Sequence, residues 1–186
     1  MTSVFIMREA TIATAVGIFQ CSVFTPDGMI NPAVVEIKSF TVEPKLPMGM
    51  SVAATWVFLV KLHPASSLEH ISVCCIWQDA PPVLGSPESG ECLDAQSWVK
   101  NDHIVVLGTE DFASLSARLS ESRLIEKNHP IRYTRDGFEI VLPLVPAGQL
   151  TSLHFVVAIN RYPESHDCSA WFAVDIPHRD VLATAD

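Results

Sequence analysis

Thirteen prolines cut this 186-residue chain into short runs, and that punctuation is the feature that most limits its fold. Proline lacks the N–H that a helix interior or a central sheet ladder needs, so prolines punctuate regular structure. The runs between the prolines are rich in Val, Ile, Phe, Trp and Thr, which is strand composition. A mainly β chain is expected.

The phase of the apolar residues sharpens this. In Ile18–Thr25, Phe19, Cys21 and Val23 alternate with Gln20 and Ser22, as on a half-buried strand, and Pro26-Asp27-Gly28 reads as a turn. In 34–43 the apolar face changes from Val35 and Ile37 to Phe40 and Val42, which a bulge near Lys38-Ser39 would reconcile. Val52–Leu62 is apolar on both faces, the pattern of a strand covered on both sides. Ile71, Val73, Cys75 and Trp77 share a face, and His103–Leu107 forms a further strand. Ala80–Asp94, with three prolines and two glycines, reads as one long loop.

One stretch suits a helix, Glu110 to about Asn128, with Glu110 and Asp111 at its start, Arg118, Arg123 and Lys127 towards its end, and Phe112, Leu115 and Leu119 on one face. After Pro130, two apolar runs flank Arg135-Asp136-Gly137, a hairpin with Gly where positive φ is needed. Two last strands, Leu153–Asn160 and Ser169–Ile176, follow. Read as an antiparallel pair with Asn160 opposite Ser169, they set His154 opposite Asp175, a pairing that would raise the histidine pKa. The sum is mainly β, α+β at the margin: a single domain over residues 1–186, built as a two-layer antiparallel β-sandwich or a curled, barrel-like sheet of about eight to ten strands, with one α-helix near 110–128.

Composition restricts function. The net charge is −9, from 21 acidic and 12 basic residues, which disfavours nucleic acid and anionic membranes as partners. Charged residues make up 18% of the chain, against about 25% in typical soluble domains, and the mean hydropathy is +0.28. Either a sheet is buried on both faces or another chain covers apolar surface. The five cysteines are odd in number and contain no C-x-x-C, so reduced thiols and a cytoplasmic location are expected. Ala10–Thr25 is too short to span a bilayer and lacks an export signature.

Phosphate-loop, dinucleotide, serine-hydrolase and H-E-x-x-H signatures are absent from the sequence, and no cofactor is expected. Two clusters carry the right atoms for chemistry. Near the C-terminus, His154, His166, Asp167, Cys168, Asp175 and His178 could form a zinc site or a Cys–His catalytic group, with His154, Asp175, His166 and Cys168 as the catalytic candidates. Earlier, His63, His70, Cys74, Cys75 and Cys92 could form a structural zinc site, with His63, His70, Cys74 and Cys92 as candidate ligands. A solvated loop and buried, inert cysteines account for the same residues without any site. The leading expectation is a non-catalytic accessory protein that engages a protein or peptide partner, or a second copy of itself, through a sheet surface or edge. The alternatives are a metal-dependent or Cys/His enzyme using the C-terminal cluster, and a carrier of small hydrophobic ligands in a tryptophan-lined cavity.

Overall fold

Two antiparallel sheets face each other in the computed structural model, which describes residues 5–25, 34–78, 84–89, 93–122, 124, 129–166 and 168–185. The first sheet contains β1 (Phe5–Ala13), β2 (Ile18–Thr25), β5 (Leu68–Trp77), β9 (Ile131–Thr134) and β10 (Gly137–Val145), in the order β1-β2-β5-β10-β9. The second contains β3 (Val35–Thr41), β4 (Ala54–Leu62), β6 (Leu84–Ser89), β7 (Leu93–Lys100), β8 (His103–Glu110) and β11 (Thr151–Arg161), in the order β3-β4-β11-β8-β7-β6. Neither sheet closes into a barrel: the fold is the expected β-sandwich.

Period-2 alternation explains the main core. Phe19, Cys21 and Val23 of β2 and Ile71, Val73, Cys75 and Trp77 of β5 point inwards, and meet Phe58 and Val60 of β4 and Phe155 and Val157 of β11. A second, smaller core lies on the outer face of the six-stranded sheet. There Val57, Leu59, Val106, Val156 and Ala158 are covered by Ala170, Ala173 and Val174 of α2 (Ser169–Val174) and Val181 of α3 (His178–Ala185). The central strands β4, β8 and β11 are therefore buried on both faces, and this accommodates apolar residues within the chain.

Several local expectations change. No bulge interrupts β3, whose register with β4 is continuous from Val35 to Thr41. The apolar face changes because both sides are covered: Val35 and Ile37 join the main core, while Phe40 packs against the outer one. Leu84–Ser89 is not loop but edge strand β6, where Pro87 is tolerated at a register irregularity, and Leu93 and Asp94 begin β7; residues 80–83 and 90–92 of the expected loop lie outside the described residues. The helix is shorter than expected. Glu110 ends β8, Asp111 caps α1 (Phe112–Arg118) by accepting from the Ser114 N–H at 2.8 Å, and a 3-10 turn follows at Ser120–Ser122. Arg123 and residues 125–128 lie outside the described residues.

The largest correction is at the C-terminus. Ser169–Val174 is helix α2 rather than a strand, and β11 pairs with β4 and β8 instead. Its buried residues, Ser169, Ala170, Ala173 and Val174, follow helical spacing. Phe172, assigned to the apolar strand face, is 46% exposed. No helix among the described residues is long and apolar enough to cross a membrane.

Candidate metal centre

The outer face of the six-stranded sheet carries the site. Val156 of β11 stands opposite Gly108 of β8. Two residues further along each strand, on the same face, are His154 and Glu110. The strands are also tied there by the Thr109 hydroxyl, which donates to the His154 carbonyl at 2.9 Å. Gly108 matters because a Cβ at this position would lie 2.9 Å from Cβ of Val174. Its absence lets α2 press onto the sheet, and the Asp175–Pro177 link then carries His178, the first residue of α3, over the two strand residues. Pro177 suits that first turn, where its carbonyl accepts from the Asp180 and Val181 N–H groups.

Among the described residues, Glu110, His154 and His178 form the one group of three such side chains gathered closely enough to hold a metal ion, and all three are buried. Nδ1 of His154 lies 2.9 Å from Nδ1 of His178. Oε2 of Glu110 is 3.7 Å from the former and 3.8 Å from the latter. These atoms face a half-open cleft of about 290 Å³, also lined by Ser114, Asp175, Ile176 and Arg179.

The hydrogen bonds around the pair assign its protons. The Ile176 carbonyl can only accept, so His154 Nε2, at 3.1 Å, carries a hydrogen and its Nδ1 has the lone pair. His178 therefore donates from Nδ1 to His154, and its Nε2 accepts from the Ser152 hydroxyl at 2.8 Å. Burial, and after it the Arg118 guanidinium, push the pKa of His154 down to about 3. The same two causes, followed by His154 itself, bring His178 to about 3 against the opposing pull of Glu110. Both imidazoles are neutral at physiological pH, the reverse of the raised pKa expected for a His154–Asp175 pair. Arg118 pairs with Glu110 through both carboxylate oxygens and donates from Nη1 to the Ser152 carbonyl at 2.7 Å.

The other sequence candidates fall apart in space. Asp175 is the residue that caps α2; it lines the cleft, but as an exposed side chain and not as the strand partner of His154. His166 is exposed and lies near Gly49, and Cys168 is exposed at the start of α2. Asp167 lies outside the described residues. Of the second cluster, His63 and His70 are exposed, Cys74 is half-buried in β5, and Cys92 lies outside the described residues; among the described residues no metal-holding group includes the first three. Cys21 and Cys75 face each other across β2 and β5 without a disulfide. Burial raises both thiols and lifts Cys74 to about 12, so these sulfurs stay protonated and are not nucleophiles at neutral pH. The sequence reading also includes His178 in the C-terminal cluster but does not single out Glu110, whose place before Asp111 resembles the acidic start of a helix.

No protein-family model, curated protein or solved structure matches the chain.

Proposed function

We propose that this chain is a metal-dependent protein that binds one divalent transition-metal ion through Glu110 Oε2, His154 Nδ1 and His178 Nδ1. The carrying observation is the triangle of those atoms, with sides of 2.9, 3.7 and 3.8 Å. A point equidistant from its corners lies about 2.0 Å from each, the bond length of zinc to imidazole nitrogen or carboxylate oxygen. The surroundings suit ligation too. His154 already donates its other ring N–H to the Ile176 carbonyl, and His178 can do the same to Ser152 Oγ once its hydrogen moves to Nε2. Such outer partners hold metal-bound imidazoles in place. Neutral imidazoles also spare the ion any competition from protons at physiological pH.

Three protein ligands beside a cleft leave coordination positions open, the arrangement of metal centres that act on or hold a ligand, as opposed to closed structural sites. Two histidines and one carboxylate suit zinc, cobalt or ferrous iron. Partner or peptide binding and self-association draw on apolar surplus, which burial of β4, β8 and β11 on both faces accommodates. The carrier reading drew on the tryptophans, of which Trp77 and Trp98 are buried in the main core against each other, ring centroids 5.6 Å apart. The metal reading therefore ranks first.

Equilibrium dialysis against Zn²⁺ tests it. The wild-type chain should retain one ion per chain, and His178→Ala should bind about 100-fold more weakly or worse, since losing a direct ligand costs more than the 10–100-fold typical of an outer-shell loss. Equal zinc retention by the two proteins would reject the assignment.

A further inference from the structure

The charges around the metal centre point to what completes it. Arg118 lies against Glu110, its Nε 3.1 Å from Oε1 and its Nη2 on Oε2, and it is fixed further by the 2.7 Å bond to the Ser152 carbonyl. The guanidinium is always charged, so the one anionic ligand is neutralised before any ion arrives. The two imidazoles ligate as neutral groups. At the cleft, Asp175 is an exposed carboxylate, and Arg179 is paired with Asp180 at 3.5 Å. Glu110, Arg118, His154 and His178 thus sum to zero formal charge, and a divalent ion adds two positive charges that none of these four groups offsets, among buried ligands where uncompensated charge is costly. Glu110 Oε2 has lone pairs enough to keep Arg118 while ligating, so the ion need not expel it.

We propose that the metal-loaded cleft takes a small oxygen anion, a carboxylate or an oxyanion, as a further ligand of the ion, and that metal and anion bind cooperatively. The inference rests on the metal reading of Glu110, His154 and His178. The anion would approach from the cleft, where the coordination positions are open. A cleft of about 290 Å³ admits a small molecule rather than a polymer. By linkage, the factor by which the anion tightens the metal is the factor by which the metal tightens the anion.

Cobalt reports both events, because its visible spectrum responds to the coordination shell. Co²⁺ is titrated into the full chain at constant ionic strength in perchlorate, which coordinates weakly, and again with saturating acetate or inorganic phosphate. At least one anion should tighten Co²⁺ about tenfold, within the 5–150-fold range of ordinary coupling, and change the bound-cobalt spectrum; the effective anion shows which source of the charge the site prefers. Arg118→Gln should tighten Co²⁺ in perchlorate and blunt the anion effect, while Arg118→Lys should behave like wild type. If Arg118→Gln does not fold, the wild-type titrations decide alone. Cobalt binding that depends on His178 but is indifferent to both anions in affinity and spectrum would overturn this inference and leave the metal reading standing. No cobalt uptake would overturn both.

Discussion

Gly137→Ala is expected to destabilise the protein by about 4 kcal/mol, the size reserved for substitutions that force strain on a fixed backbone. Gly137 opens β10 after the two-residue Arg135-Asp136 turn, with φ of +153°. A Cβ there would lie 2.1 Å from the Cys75 carbonyl oxygen and 3.0 Å from the Ile76 Cα. Both are backbone atoms of β5, which is held on its other side by β2, so neither can withdraw cheaply. For a chain of this length the loss corresponds to a drop of about 8–16 °C in melting temperature. Thermal unfolding followed by far-UV circular dichroism measures it; a drop under 2 °C would show that the close approach of β10 to β5 is not as described.

The second large effect is stabilisation by metal. At a free Zn²⁺ concentration 100 times its Kd, an ion that binds only the folded chain adds about 2.7 kcal/mol, or about 5–10 °C in melting temperature at this length. His154→Ala and His178→Ala should show no such rise, although His154→Ala starts from a lower temperature because it empties a buried position. The comparison belongs near pH 7.5. The folded pKa of both histidines is depressed to about 3, below the unfolded value of about 6.5. The unfolded chain therefore takes up more protons than the folded one between about pH 3 and 6.5, and stability from these groups is present above that window and lost as pH falls through it. An equal thermal shift in the wild type and both variants would place the zinc elsewhere.

The sequence makes legible whatever depends on nearest neighbours along the chain. The faces of β5 and β11 follow from strict alternation, the doubly covered β4 from its unbroken apolar run, and the β9–β10 hairpin from Gly137 and the turn before it. Partner choice is another matter. Leu153–Asn160 reads correctly as a strand, the middle of β11, with His154 on the face opposite Phe155, but alternation does not say that its neighbours are β4 and β8. Glu110 and His154 are 44 positions apart in the sequence and meet only through that pairing. The short segment Ser169–Val174 is ambiguous for a related reason: Ala170, Phe172 and Val174 satisfy a period of two as readily as Ala170, Ala173 and Val174 satisfy a helical face. What decides is the outer face of the six-stranded sheet, where Gly108 leaves room for a helix with small residues. The candidate site inherits both gaps. His154 and His178 belong to the cluster visible in the sequence; the carboxylate beside them reads there as a helix start.

X-ray absorption at the zinc edge of the zinc-loaded protein tests the central claim most directly, because it reports the atoms bound to the ion. The predicted spectrum has two imidazoles and at least one oxygen at about 2.0–2.1 Å, with no sulfur shell. A sulfur shell at about 2.3 Å, which would draw the ion to the cysteines, or an oxygen-only shell without the imidazole signature, would contradict a metal centre built from Glu110, His154 and His178.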